Sequence, residues 1–297
     1  MSPNVDLAAI QQAMQRGEFA GAERELGAVL AAAPDHSEAL YLLAVTQRYL
    51  GRGQAALETL ARLKTLVPGH ARAFQEEGHL NRAAGHLEAA LSAYTRACQL
   101  NPALEASFRA RVEILSQLGR RREAAAVGAQ LDHLLSLPKP LVAVLDLIGQ
   151  GKLGRAEEIS RAFLKHNPRH VEGMRLLADI GMRLGVLEDA EFLLESAVAF
   201  EGDHLPARMD YVRVLQKRQK YEPALAQARE LLRREPENPE FLSLHAVVSM
   251  QAGDYETALA GFDAVLAKRP GDPYTLTARG HALKTCGRAE EAVEAYR

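Results

Sequence analysis

Hydrophobic residues in this chain recur at spacings of three and four and are interrupted at short, regular intervals by glycine or proline. In the segment 37–70, for example, Leu40, Leu43 and Ala44 precede a break at Gly51. The same spacing resumes after the glycine and ends at a proline. Because spacings of three and four place side chains on one face of a helix, the segment predicts two helices separated by a short turn.

This pattern repeats about every 34 residues, and three residue types mark it. The prolines that close the repeats are Pro34, Pro68, Pro102, Pro168, Pro236 and Pro270. Position 15 of each repeat is Gln219 in one case and otherwise a glycine: Gly17, Gly51, Gly85, Gly119, Gly151, Gly185, Gly253 and Gly287. Position 20 is always alanine: Ala22, Ala56, Ala90, Ala124, Ala156, Ala190, Ala224, Ala258 and Ala292.

Each marker has a physical role in a stack of helix pairs. Glycine tolerates the left-handed backbone that ends a first helix, and proline ends the second helix. A small alanine lets the paired helices approach closely. The nine repeats that these markers define are 3–36, 37–70, 71–104, 105–136, 137–170, 171–204, 205–238, 239–272 and 273–297.

The set of marked positions resembles the tetratricopeptide repeat, which has large apolar residues at positions 4 and 24, small ones at 8 and 20, and proline at 32. The resemblance covers nearly the whole chain. It implies an all-α, right-handed solenoid of antiparallel helix pairs with about nine repeats. Repeat 4 lacks two residues and its proline, so we expect repeats 1–4 (3–136) and repeats 5–9 (137–297) to be separated by a kink at 134–140.

The final stretch, GRAEEAVEAYR, stops at position 25 of repeat 9. Since each repeat buries its face on the next, we expect the chain to be a fragment of a longer protein. The region from LPKPLVAVLDLIGQGKLGRAEE onward resembles the repeat region of bacterial tetratricopeptide-repeat sulfotransferases. That resemblance implies a C-terminal sulfotransferase domain, acting on an activated sulfate nucleotide, as an intramolecular partner beyond residue 297. The alternative is a stand-alone adaptor or assembly scaffold with no attached enzyme.

Composition and charge argue against several classes of function and location. Net charge is −2 with acidic and basic residues mixed, which predicts binding to neither nucleic acid nor an anionic membrane. The N-terminus lacks the basic segment and apolar core of a signal peptide. Cys98 and Cys286 are far apart and fit no disulfide framework, so we predict a cytoplasmic location.

Three stretches imitate functional motifs. GQGKLG at 149–154 matches a dinucleotide-binding pattern, but a predicted helix precedes it where that motif needs a strand. His166 and His170 flank Pro168, which breaks the helix between them, so the two histidines do not share a helix face as a pair of metal ligands would. The basic runs at 120–122 and 217–220 lie at turns without aromatic residues for base stacking. We therefore expect no catalysis, cofactor or metal in this chain.

Binding is expected on the concave side, where positions 2, 5, 9 and 12 of the first helices face a groove. The predicted groove residues are Tyr41, Val45, Arg109, Glu113, Leu141, Leu145, Ile148, Arg175, Asp179, Met182, Met209, Arg213, Gln216, Val247 and Met250. They predict a protein or peptide partner and a groove with an apolar middle. The segment LVAVLDLI in repeat 5 is apolar on nearly every face, which indicates either internal packing or a partner surface.

Overall fold

The computed structural model describes residues 7–296, and all the regular secondary structure of these residues is α-helical. The eighteen helices of this range are α1 (Leu7–Gln15), α2 (Phe19–Ala32), α3 (Ser37–Tyr49), α4 (Gly53–Leu66), α5 (Ala71–Ala83), α6 (Leu87–Leu100), α7 (Glu105–Gln117), α8 (Arg121–Ser136), α9 (Lys139–Gly149), α10 (Leu153–His166), α11 (Val171–Leu184), α12 (Leu187–Phe200), α13 (Leu205–Lys217), α14 (Tyr221–Arg234), α15 (Pro239–Gln251), α16 (Tyr255–Lys268), α17 (Pro273–Thr285) and α18 (Ala289–Ala295). Each predicted repeat therefore contains two helices, which confirms the all-α prediction.

The helices form two compact units. The N-terminal unit extends to Ala156, and the C-terminal unit begins at Glu157. Each is a helical-repeat solenoid in which a helix packs on its neighbours in the chain. The boundary lies inside α10, later than the kink predicted at 134–140, and that kink stays a prediction. No helix in residues 7–296 has the length and hydropathy needed to cross a membrane.

The turn inside each repeat depends on a left-handed residue at position 15. The eight glycines there have φ between 72° and 87°, a region that costs other residues roughly 1–2 kcal/mol. Gln219 occupies the same position with φ 59°, and it is the one non-glycine residue of positive φ in the described range. The turn therefore has the same left-handed geometry in every repeat, including the one in which Gln219 replaces glycine.

The alanine at position 20 lies at the closest approach of the two helices. Its exposed fraction is 0% in six repeats, 1% at Ala22, 3% at Ala292 and 8% at Ala124. Glycine at position 8 has a related role, because a methyl group at Gly78 or Gly280 would overlap the ring of a tyrosine. The predicted close packing of helix pairs is confirmed.

In the C-terminal unit, one core runs through several repeats and includes Leu194, Tyr211, Leu231 and Phe241. First helices of successive repeats also contact one another, α11 with α13 and α15 with α17. This arrangement places positions 2, 5, 9 and 12 of several first helices on a common surface.

Candidate functional site

An open cleft of about 430 Å³ lies in the C-terminal unit between the first helices α13, α15 and α17. Four predicted groove residues line it together: Met209, Arg213, Gln216 and Val247. The other residues that line it are Pro239, Glu240, Ser243, Leu244, Val265, Arg269, Asp272, Tyr274 and Thr275. The structure therefore brings groove positions of three successive repeats to one place.

Apolar side chains form part of the cleft wall. Met209, Leu244 and Val247 are half-buried and pack against the core clusters of this unit. Tyr274, at position 2 of repeat 9, is 64% exposed. A large aromatic side chain with this exposure offers a contact surface with little conformational entropy to lose.

Charged groups in the cleft retain hydrogen-bonding capacity. The Nη1 of Arg213 donates to Asp210 Oδ1 at 2.7 Å, while the Arg213 side chain is 52% exposed. Glu240 and Arg269 form no side-chain hydrogen bond or salt bridge with other residues in 7–296. Asp272, in contrast, accepts from the Thr275 amide at 2.8 Å. The cleft thus presents available groups of both signs beside an apolar surface.

A buried ion cluster on α11 and α13 adjoins this cleft at Arg213. Arg175 on α11 donates to Glu172 at 2.6 Å and 2.8 Å and, through Nη1, to Asp210 Oδ2 on α13 at 2.9 Å. The side chains of Glu172 and Asp210 are only 7% and 8% exposed. Burial alone would lower the pKa of Arg175, but hydrogen bonds and charges from Glu172 and Asp210 raise it overall. The cluster holds α11 to α13 and orients Arg213 through the shared Asp210.

Several predicted groove residues of the C-terminal unit have partners within the structure. Asp179 accepts from Arg183 Nε at 3.0 Å. Gln216 Nε2 donates to Gln251 Oε1 at 3.0 Å, which links α13 to α15. Met182 and Met250 are half-buried and pack against core clusters.

The N-terminal unit has a second cleft, of about 370 Å³, and Tyr41 lines it. The Tyr41 ring lies 5.1 Å from the ring of His70, centroid to centroid. Burial, followed by the charge of Glu76, raises the pKa of Tyr41 to about 12. Arg72 and Lys152 also line this cleft, opposite in charge to Glu38.

Three further predicted groove residues of this unit lie outside that cleft. Val45 is half-buried. Arg109 is exposed and donates to Glu105 at 2.7 Å within the same helix. Glu113 is exposed and accepts from Arg82 at 2.6 Å, which joins α7 to α5.

Repeat 5 departs from the groove prediction. Leu141 is 0% exposed and Ile148 is 8% exposed, so the assignment of these two residues to an open groove is wrong. Leu145 is half-buried against the core cluster of α6, α7 and α8. A hydrogen bond fixes the C-terminal part of α9, since Asp146 Oδ1 accepts from Nδ2 of the buried Asn101 at 2.7 Å. These contacts favour internal packing over a partner surface for this segment.

The motif-like stretches have structural roles. Gly151, within GQGKLG, has φ 72° and lies in the turn that follows α9. His170, within HNPRH, caps α11 by accepting from the Gly173 amide. Burial raises the pKa of Cys98, whereas Cys286 is exposed. No group of three or more His, Cys, Asp or Glu residues within 7–296 is placed to hold a metal ion.

The position rule accounts for more of the C-terminal cleft than the predicted residues alone. Glu240 and Tyr274 occupy position 2, and Ser243 occupies position 5, of their repeats. Leu244, Arg269 and Asp272 lie off these positions, and no sequence signal marked them. Arg269 and Asp272 come from the loop between α16 and α17, which the rule for first helices does not cover.

Comparison with protein families finds tetratricopeptide-repeat models at residues 13–75, 71–104, 141–204 and 212–273. No curated protein matches the chain. Among solved structures, MamA 41-end from Desulfovibrio magneticus RS-1 is 14% identical, with a TM-score of 0.50 over 53% of this chain and 89% of that one. A second MamA crystal structure is 18% identical, with a TM-score of 0.47 over 52% of this chain and 90% of that one. At such identities the likeness concerns the fold alone.

Proposed function

Because this chain belongs to the tetratricopeptide-repeat family, we propose that it is a protein-interaction scaffold whose C-terminal unit holds a segment of a partner protein. The segment would lie in the cleft between α13, α15 and α17. The observation that carries this proposal is the convergence of Met209, Arg213, Gln216 and Val247, from two successive repeats, on one open cleft that repeat 9 completes.

The chemistry of the cleft favours a peptide segment of mixed character. Leu244 and Val247 offer apolar surface for an aliphatic or aromatic side chain. Arg213 and Arg269 can receive a carboxylate, and Glu240 can receive a basic group. Asp210, held by Arg175, orients Arg213 before binding, which reduces the ordering cost for that side chain.

Selection from a displayed peptide library tests this proposal and requires no identified partner. The chain would be used as bait, and the dissociation constant of each enriched peptide would be measured. Val247→Arg places a bulky charge in the cleft, and we expect it to weaken binding by roughly tenfold or more, about 1.4 kcal/mol. Ala226→Arg is the matched control, because Ala226 is exposed on α14 outside the cleft. Equal affinities of the two variants would contradict the proposal.

A finer proposal concerns the parent protein. We propose that the chain is the N-terminal arm of a sulfotransferase and positions an acceptor for that domain. The support is the sequence resemblance from Leu137 onward; a stand-alone adaptor is the competing possibility. The coding sequence after Arg297 decides between them, since a sulfotransferase domain supports the first and a capping helix followed by a stop codon supports the second. A cytoplasmic location is likewise a proposal, supported by two free cysteines.

A further inference from the structure

Position 34 of four repeats is a histidine that caps the first helix of the next repeat. In each case the imidazole Nδ1 accepts a hydrogen bond from a backbone amide in the first turn. The four bonds are Ala39 N to His36 at 3.3 Å, Ala73 N to His70 at 3.1 Å, Gly173 N to His170 at 3.2 Å, and Ala207 N to His204 at 3.1 Å. The capped helices are α3, α5, α11 and α13.

Three of these four helices carry the predicted groove residues Tyr41, Arg175, Met209 and Arg213. The same position is filled differently in later repeats of the chain. Asn238 caps α15 by accepting from the Glu240 amide at 2.9 Å, and Asp272 caps α17 by accepting from the Thr275 amide at 2.8 Å. An amide oxygen does not titrate, and hydrogen bonds from Thr275 lower the pKa of Asp272. The chain thus fills one capping position with an imidazole in four repeats and with an amide or a carboxylate in two others.

A histidine cap needs a neutral imidazole. Nδ1 accepts a hydrogen bond only while its lone pair is free, so the proton must reside on Nε2. Protonation of Nδ1 replaces an acceptor with a donor that faces a backbone N–H. It also puts a positive charge at the helix N-terminus, where the helix dipole disfavours it.

We propose that the four histidines make the first helices α3, α5, α11 and α13 acid-sensitive. Acidification through the range in which imidazole groups take up a proton removes these N-caps and loosens the first turns. The helices α15 and α17, which complete the C-terminal cleft, keep their caps in this range. The proposal is independent of which partner the cleft binds.

Neighbouring groups differ among the four sites. His36 is exposed, in a turn where Arg62 of α4 contacts Asp35. His70 faces the Tyr41 ring, with the opposing charges of Glu38 on α3 and Arg72 on its own helix. Burial is the largest influence on His70 and lowers its pKa, which Glu38 partly offsets.

In the C-terminal unit, His170 faces the edge of the Phe163 ring of α10 at 5.0 Å. His204 Nε2 lies 3.6 Å from Glu172 Oε2 on α11. That carboxylate favours a proton on Nε2 and so supports the capping tautomer. Arg175 also faces this site and donates two hydrogen bonds to the same Glu172 carboxylate.

The test replaces the four histidines with the cap that the chain itself uses in repeat 7. Melting temperatures of the wild type and of the variant H36N/H70N/H170N/H204N would be measured at pH 7.5 and pH 5.0. Protonation of an Nδ1 acceptor removes an N-cap and destabilises the helix that it caps; at His70, where burial lowers the folded-state pKa, that stability is lost as pH falls. We therefore expect acidification to lower the wild-type melting temperature more than that of the variant, by about 2 °C for each cap. Equal losses would overturn the proposal.

A second measurement uses the unaltered chain and holds even if the variant fails to fold. Nitrogen-15 NMR of the imidazoles reports the tautomer and the pKa of each ring. The proposal requires neutral rings protonated at Nε2 at pH 7.5. It also requires faster exchange of the Ala39, Ala73, Gly173 and Ala207 amides, relative to intrinsic rates, at pH 5.0 than at pH 7.5. The Glu240 and Thr275 amides are the internal controls. Four rings still neutral at pH 5.0, or six amides that respond alike, would contradict it.

Discussion

The α-carbon of Gly78 lies directly against the ring of Tyr94, so that a methyl group built at Gly78 would come within 2.7 Å of the Tyr94 Cδ1 atom. The ring has no room to retreat, because Tyr94 is 0% exposed and its hydroxyl lies 2.7 Å from His79 Nδ1. Repeat 9 reproduces the contact between Gly280 and Tyr296. Glycine at position 8 therefore sets the distance between the paired helices.

This contact predicts that Gly78→Ala destabilises the chain although alanine is the better helix former. We expect a net loss of up to about 2 kcal/mol in the free energy of unfolding, because overpacking costs about 1–3 kcal/mol and the gain in helix propensity offsets only about 1 kcal/mol of it. Chemical denaturation monitored by circular dichroism would measure it. Gly27→Ala is the matched control, since a methyl group there meets nothing within 4 Å, and it should stabilise α2. Stabilisation by both substitutions would refute the steric account.

Replacement of Gln219 by glycine is expected to increase the stability of the protein. Its φ of 59° strains a side-chain-bearing residue at the turn where the other repeats have glycine. Gln219→Gly should raise the free energy of unfolding by about 0.5–1 kcal/mol, since glycine relieves the strain but loses more backbone entropy. The reciprocal variant, Gly253→Gln, should lower it by a similar amount. The prediction fails if the two variants shift the denaturation midpoint in the same direction.

Substitution of Arg175 is expected to cause a large loss in the free energy of unfolding. Removal of its guanidinium in Arg175→Met leaves Glu172 and Asp210 buried without their shared cation, and breaking such a cluster costs about 3–5 kcal/mol. Hydrogen exchange of α11 and α13 would locate the effect. Arg233→Met is the control, because Arg233 is 70% exposed and its salt bridge within residues 7–296 is with Glu230 on its own helix, and we expect no measurable change. Similar effects of the two substitutions would count against the role assigned to the cluster.

The raised pKa of Tyr41 predicts that the stability of the protein falls at alkaline pH. Burial raises its pKa to about 12, so the folded state retains a proton that the unfolded state loses near pH 10. Stability is therefore present below pH 10 and lost as pH rises towards 12. Tyr41→Phe should reduce that loss by up to about 2 kcal/mol. Denaturation midpoints at pH 8 and pH 11 would reveal it; parallel declines in both proteins would exclude the effect.

The sequence predicted the fold well because its markers are local. The alanine at position 20 and the glycine at position 15 each meet a steric demand within one helix pair, and the structure confirms both. Gln219 shows the limit of such markers, since the turn forms at that position with a residue that strains it. The division of the chain into two compact units, in contrast, depends on contacts summed over many residues, and no single sequence position encodes it.

The candidate site was predictable where the repeat geometry is regular. Met209, Arg213, Gln216 and Val247 meet because their first helices stack in register. In repeat 5 the same rule fails at Leu141, since the preceding repeat is two residues short and Asn101 holds Asp146 of α9. Asp210 was missed because its ion pair with Arg175 joins two helices, and position numbering alone does not identify such a partner.

The most direct test of the scaffold proposal is to locate a bound peptide on the C-terminal unit. A photo-crosslinking residue would be placed at Ser243, inside the cleft, or at Ala226, exposed outside it. Each protein would be irradiated with a library-selected peptide and analysed by mass spectrometry. We predict crosslinking from position 243 that excess unlabelled peptide abolishes, and none from position 226. Crosslinking from position 226 alone, or from neither position while the peptide still binds, would contradict the proposed function of the cleft.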